Sequence, residues 1–211
     1  MREVDRVMIE DLHIHLGQMM ENAGSNLARL VLEGFAPASV EVLAGGGGNG
    51  GGGLVAARHL ANQGVAVTVV LAKEHLSPVT AHQRDILGRM GVAVSRKPGG
   101  ADLTIDALVG YSLSGNPRGR VAELIDYLNG GKVPVVSLDN PSGLDVTTGR
   151  AGNPCVSATA TLTLAAPKVG LVGSAVVGDL FLADISVPPF VYGDRTMPPG
   201  VFAAGSVVRL A

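Results

Sequence analysis

The 211-residue chain has no tryptophan, and Phe, Trp and Tyr together make up only 3 % of it. Its interior must therefore be filled by Val, Leu, Ile and Ala, the composition of parallel sheets covered by helices on both faces. Cysteine is almost as scarce. Cys155 stands alone, which excludes an intramolecular disulfide and a cysteine zinc cluster. A solitary cysteine reads as a small buried hydrophobe before it reads as a nucleophile. No run of one charge occurs: the formal net charge is −2, and Arg and Lys are scattered. The chain thus lacks the basic stripe with interleaved aromatics that marks a nucleic-acid surface. No apolar stretch approaches the ~18 residues needed to span a bilayer. Acids and bases are spread through the first residues, so the start does not read as a signal peptide. The expectation is a cytoplasmic protein with no nucleic-acid or membrane partner.

Glycine is abundant, at 30 residues, and 12 prolines accompany it, clustered between periodic segments. Val4, Val7, Met8 and Leu12 give a mixed pattern over Glu3 to about Leu16. A helix is predicted from Met19 to Leu32, with Leu27, Leu30 and Val31 on one face and Gly34 and Pro37 ending it. A strand at Ser39–Leu43 is followed by a glycine loop, Gly45–Gly53, and a helix over Leu54–Gln63 stopped by Gly64. Val65–Leu71 reads as a strand buried on both faces, and Pro78–Met90 as a helix. Strands are predicted at Val92–Ser95, Leu103–Val109, Pro134–Leu138, Ala158–Leu164 and Phe181–Ile185, with a helix over Val121–Leu128. This alternation implies βαβ units: an α/β, Rossmann-like three-layer fold with a mostly parallel sheet and helices on both faces. One domain over 1–211 is expected, with N-terminal helices in 1–34, the core in 38–188, and an irregular tail in 189–211 carrying at most a short strand near Val207.

Open α/β sheets bind ligands where strands end and helices begin, because backbone N–H groups converge there. Three strand ends are chemically distinctive. In Gly45–Gly53, only Asn49 interrupts the glycines, so no Cβ holds a phosphate or ribose away from the backbone. Gly45, Gly47 and Gly50 satisfy G-x-G-x-x-G between a strand and a helix, although so dense a run satisfies many patterns. A flexible connector is the plainer alternative. Asp106 sits late in an apolar strand, where an acid needs a partner or a cation. The polar loop from Gly110 to Asn116 follows it, and a turn-capping Asp is the competing reading. Asp139 ends the strand before Asn140-Pro141-Ser142-Gly143, placed as an acid, a base or a holder of a hydroxyl. The same residues are also good turn chemistry. The five histidines, His13, His15, His59, His75 and His82, lack metal spacing and read as surface residues.

In order along the chain, these segments resemble the YjeF N-terminal domain family, the NAD(P)H-hydrate epimerases. The resemblance rests on Met19-Met20-Glu21-Asn22-Ala23-Gly24, Gly45–Gly53 followed by Leu54-Val55-Ala56-Ala57-Arg58-His59-Leu60, and Asp106-Ala107-Leu108-Val109-Gly110. Leu138–Asp145 and Ala166-Pro167-Lys168 extend it, and it runs from about Glu3 to Pro188. It implies an isomerase that interconverts the R and S C6-hydrates of NADH and NADPH, with a separate dehydratase acting on the S form. It also implies a potassium ion held by Asn49, Asp106 and Ser142. The cofactor would be lined by Gly48, Asn49, Gly50, Gly51, Gly52, Gly110, Tyr111, Ser112, Leu113, Ser114, Gly115, Asn116 and Asp139. Asp139 and Lys73 would be catalytic, passing a proton as the C–OH bond breaks and re-forms through a planar iminium. A homodimer through the N-terminal helices is implied as well.

Three positions depart from the family pattern: Gly48 replaces an Asn, Gly52 replaces an Asp, and Asn140 stands where an apolar residue is usual. Extra glycines make the loop costlier to order. They leave open a non-catalytic nucleotide-binding or protein-interaction module of the same fold. A nicotinamide-dependent oxidoreductase, with Glu74 gripping a ribose, is a further alternative, though no Tyr-x-x-x-Lys pair accompanies it.

Overall fold

The computed structural model describes residues 2–111, 115–193, 197–198 and 200–210. Helix α1 (Arg2–Arg6) and a π-helical turn (Val7–Asp11) lead into α2 (Leu16–Phe35). Then follow β1 (Ser39–Ala44), α3 (Gly48–Asn62), β2 (Ala66–Leu71), α4 (Pro78–Arg89), β3 (Ala93–Ser95) and β4 (Leu103–Ala107). Next come α5 (Arg120–Gly130), β5 (Val135–Leu138), β6 (Ala160–Leu164), β7 (Asp179–Ala183) and β8 (Val207–Arg209). The strands form one sheet in the order β3-β2-β1-β4-β5-β6-β7-β8, parallel except for β8, which runs antiparallel to β7.

Side-chain alternation along each strand builds two cores, because successive residues point to opposite faces. On one face, Val40, Val42, Ala44, Leu103, Ile105 and Ala107 meet Leu27, Val31, Leu54, Ala57 and Leu60 of α2 and α3, with Leu87 of α4. On the other, Leu43, Val70 and Val135 meet Val121, Leu124, Ile125 and Leu128 of α5. Full burial of each such Leu or Ile stabilises by roughly 1.5–3 kcal/mol, so the stripe on α5 alone outweighs any local helix preference. Glu41 shares the α5 face of β1 yet is fully buried. Its Oε1 accepts hydrogen bonds from the backbone N–H of Gly99 (2.6 Å) and Gly100 (3.2 Å), which offset part of the cost of burying the carboxylate.

Several boundaries differ from the sequence expectation. Helix α2 runs through Gly34 to Phe35 and ends at Ala36, whose left-handed backbone (φ 46°) takes the place that glycine usually fills. The amino-terminal half of β2 is only partly covered, because its outer neighbour β3 has three residues. Strand β7 starts two residues before Phe181. In the tail, a 3-10 turn forms at Pro189–Tyr192, and Val207–Arg209 pairs with β7 and closes that edge of the sheet.

The largest difference is the glycine run. Gly48–Gly53 is not a loop but the opening of α3, although each glycine costs about 1 kcal/mol relative to Ala in a helix. Close packing accounts for it. A Cβ on Gly53 would stand 2.5 Å from the Ala107 Cβ, and one on Gly50 would stand 1.9 Å from the Gly45 carbonyl oxygen. At the crossing of α2 and α3, a Cβ on Gly24 would meet Val55 at 2.5 Å and the Gly52 carbonyl at 2.7 Å. Bare backbone lets α3 lie against the sheet and α2 at once. A flexible connector is ruled out, since Gly50 to Gly53 are all buried.

Candidate active site

The chain leaves β1 toward β2 and β3 on one side and returns through β4 and β5 on the other. The carboxyl ends of β1 and β4 therefore flank a crevice, the topological switch point at which such sheets bind ligands. The amino terminus of α3 opens into it, presenting unsatisfied N–H groups and the positive end of the helix dipole. The backbone leading there is tied down: Gly45 N donates to Ala107 O (3.0 Å), Ser77 N to Gly46 O (2.8 Å) and Thr80 Oγ1 to Gly47 O (2.9 Å). A cavity of about 440 Å³ fills the crevice, large enough to take part of a dinucleotide. One wall is apolar, built from Met19, Met20, Ala23, Leu138, Leu164 and Ile185. The polar wall carries Asn49, Lys73, Tyr111, Asp139 and Asp5, together with Gly45–Gly48, Gly52 and Gly110.

Asp106 is the penultimate residue of β4 and is fully buried, which raises its carboxyl above the usual carboxylate range. Hydrogen bonds counter that cost. Its oxygens accept from Ser142 Oγ (2.6 Å), Ser142 N (2.8 Å), Ser137 Oγ (2.8 Å) and Leu108 N (3.2 Å). The carboxylate thus clamps the Asn140-Pro141-Ser142 turn onto β4, so turn capping and a polar cradle coexist. Asn140 is fully buried in that turn, its Nδ2 donating to the Pro141 carbonyl (3.0 Å). Ser142 Oγ also lies 3.2 Å from Val109 O.

Asp139 follows β5 with a left-handed backbone, φ 70°, a conformation that costs an L-residue about 1–2 kcal/mol. Its Oδ1 is paired with the Lys168 ammonium, and Tyr111 N donates to its Oδ2 (3.3 Å). A Cβ on Gly110 would crowd both Asp139 Oδ2 (3.3 Å) and the Asn49 side chain (3.4 Å), so glycine gives these two groups room to converge. Among the described residues, the buried Asn49 Nδ2 has no hydrogen-bond partner. Tyr111 in turn donates its hydroxyl to Asp5, and burial with the neighbouring Asp5 pushes that phenol up.

The cavity gathers Gly48, Asn49, Gly52, Gly110, Tyr111, Asp139 and Lys73 from among the residues expected to act or bind. Gly50 and Gly51 stand outside its lining, packed against Gly45 and Met20. Gly115 and Asn116 also lie apart from it; Asn116 Oδ1 accepts from Asn153 N (3.1 Å). Ser112, Leu113 and Ser114 lie outside the described residues. Lys73 is exposed, its stem near Gly46. Glu74 is spent in an ion pair with Arg96. Sequence reasoning did not select Lys168 as a site residue. The signal was a lysine four residues beyond the end of β6, in the Ala166-Pro167-Lys168 segment, with Thr163 of that strand as its buried partner.

The chain matches the family described as YjeF-related protein N-terminus over residues 16–170. It is 48 % identical over 221 residues to the NAD(P)H-hydrate epimerase of Dehalogenimonas lykanthroporepellens, covering 100 % of this chain and 90 % of that protein. Against the NAD(P)H-hydrate epimerase of Truepera radiovictrix the identity is 37 % over 192 residues, covering 88 % and 87 %. It is 35 % identical over 227 residues to the bifunctional NAD(P)H-hydrate repair enzyme Nnr of Salinibacter ruber, covering 95 % of this chain but 42 % of that longer protein. A crystal structure from yeast, that of ynu0, superposes with a TM-score of 0.86 at 25 % identity, covering 99 % of this chain and 96 % of the other. With a family match over most of its length, the glycine-opened helix at the switch point and relatives aligned from end to end, this chain belongs to the YjeF-related N-terminal family.

Proposed function

We propose that this protein is an NAD(P)H-hydrate epimerase, interconverting the R and S hydrates at C6 of the reduced nicotinamide ring. The observation that carries the reading is the Asp139 carboxylate, held at the cavity wall of a switch-point crevice that suits a dinucleotide. Full-length relatives named as epimerases support it. Epimerisation needs the C6 hydroxyl to leave as water and a water to add to the opposite face of the planar iminium. The departing hydroxyl takes a proton from the Lys73 ammonium, and Asp139 Oδ2 takes the proton of the water that adds to the opposite face; that proton returns to the lysine before the next turnover. Lys73, reaching the same cavity from the end of β2, is the second proton carrier. The apolar wall of Met19, Met20, Leu164 and Ile185 excludes bulk water from the ring.

The donor set fits a potassium ion. Asp106, Ser142 Oγ and the Asn49 amide oxygen would hold it, with Val109 O close by. Among the described residues, no three His, Cys, Asp or Glu side chains gather as a transition-metal site would require. One carboxylate among neutral oxygens suits a singly charged cation, which would also offset the buried charge of Asp106. Bound there, it would fix the turns that shape the cofactor pocket. A separate dehydratase consuming the S hydrate completes the sequence, and a homodimer through the N-terminal helices is consistent with exposed Ile9 and Leu16. A cytoplasmic setting is part of the proposal; among the described residues no helix is long and apolar enough to cross a membrane.

The test is the conversion of the R to the S form in a mixed NADPH-hydrate sample, coupled to an S-specific dehydratase. The wild type should consume the R form rapidly, while Asp139→Asn and Lys73→Ala should fall by ~10²-fold or more, the scale of a lost proton-transfer group. A wild-type rate equal to the spontaneous one would sink the enzyme reading and leave a ligand-binding module.

A further inference from the structure

We infer that Lys168 is a positioning residue for this reaction, aiming the Asp139 carboxylate into the cavity without touching the substrate. The inference rests on the reading of Asp139 as the proton-transfer group. Lys168 lies just beyond β6 and is only 8 % exposed. An ammonium has three N–H donors. Here all three are used: one on Asp139 Oδ1, one on Thr163 Oγ1 (2.9 Å) and one on Leu164 O (2.9 Å). None remains for a ligand, and Lys168 is not part of the cavity lining, although Asp139 and Leu164 are. It therefore differs from Lys73, which is exposed and lines the cavity directly.

What the pair accomplishes is orientation. Lys168 fixes Oδ1 on the protein side, which leaves Oδ2 beside Gly110 and Tyr111 at the cavity wall. Asp139 also holds a left-handed backbone, and such a conformation persists only where its surroundings over-determine it. The ion pair is one of those constraints; the Asp139 N–H donating to Leu162 O (2.8 Å) is another. Stability alone gives little reason for the arrangement. Burying two charges costs much of what their attraction returns, and apolar replacements of whole buried pairs are often neutral or stabilising. Thr163 is likewise fully buried, and its hydroxyl supplies one of the three acceptors that seat the ammonium.

The experiment is a double-mutant cycle on the coupled R-to-S assay, with melting temperatures recorded alongside. Lys168→Met keeps much of the side-chain volume and removes the charge. It should lower kcat by ~10²-fold while KM for the hydrate stays within about threefold, since misplacing a reacting group by ~1 Å costs about that much. In an Asp139→Asn background, the same change should lower kcat no further. Thr163→Val, which removes one anchor and leaves the ion pair, should lower kcat ~3–10-fold with KM unchanged, while the ammonium N–H it strands lowers the melting temperature. Multiplying losses in the double variant would overturn the inference, as would a Lys168→Met enzyme with wild-type kcat. If Lys168→Met does not fold, Thr163→Val decides: wild-type kcat there also overturns it. An Asp139→Asn enzyme of full activity would instead remove the reading of Asp139 itself, whatever the lysine does.

Discussion

Replacing Gly48 or Gly50 by alanine is the same chemical change, two residues apart, in the opening turn of α3, and the two should have opposite outcomes. Gly48 is exposed, and a Cβ placed there meets nothing within 4 Å. Alanine at that position lowers the entropy of the unfolded chain and suits the helix, a gain of about 0.5–1 kcal/mol. For a chain of this size that corresponds to a rise of roughly 1–4 °C in melting temperature. At Gly50, the new carbon would fall 1.9 Å from the Gly45 carbonyl oxygen, 2.7 Å from its carbonyl carbon and 2.8 Å from its nitrogen. Non-bonded carbon contacts need about 3.5 Å, so helix and loop would have to part by more than ~1 Å. Every atom in the way is backbone and cannot swing aside. Overpacking of this kind costs about 1–3 kcal/mol or more, which outweighs the gain in propensity, for a fall of roughly 2–12 °C. Differential scanning calorimetry with urea unfolding as a cross-check measures both. A Gly50→Ala protein as stable as wild type would refute the packing account and return the glycine run to a loose loop.

Potassium should raise the melting temperature by a saturable increment that the same ionic strength of choline chloride does not reproduce, because a ligand of the native state stabilises by mass action. Asp106→Asn should abolish the increment; an equal response in that variant would place the ion elsewhere. Burial opposes charge on Glu21 of α2, but its bonds to Arg58 and His59 of α3 outweigh that and lower its carboxyl below the usual value. The stability it contributes is present above the ordinary carboxylate range and is lost as pH falls through the lowered value. Glu21→Gln should therefore narrow the difference in melting temperature between pH 7 and pH 3, and an unchanged difference would count against the bridge. Half-burial, with the Asp106 charge nearby, pushes the Cys155 thiol up to about 11. Iodoacetamide labelling of the native protein at pH 8 should thus run at least tenfold slower than for the unfolded chain, where the thiol titrates normally. Comparable rates would contradict the burial.

The parallel sheet and its layers were legible in the residues themselves. Runs such as Val135-Val136-Ser137-Leu138, the stripe of Val121, Leu124, Ile125 and Leu128, and the near absence of aromatics each express burial on two faces or one. Those patterns are local, and a period of 2 or 3.6 needs no knowledge of the rest of the chain. Asp106 and Asp139 could be picked out for the same reason, as polar groups at the ends of apolar strands, whereas Asn49 was indicated by the family resemblance. Sequence could not show that Gly48–Gly53 is helical, because glycine's own preference argues against it. Only the approach of α2 and Ala107 from distant parts of the chain, with Gly45 folded close against Gly50, makes helix the arrangement that fits. Nor could it show Lys168 beside Asp139. The two are 29 residues apart, and they meet because β5 and β6 lie side by side in register, Leu138 against Leu162. Spacing along a chain carries no information on such a pairing; it is the order of strands in the sheet that turns a surface-type residue into a buried partner of the candidate catalytic acid.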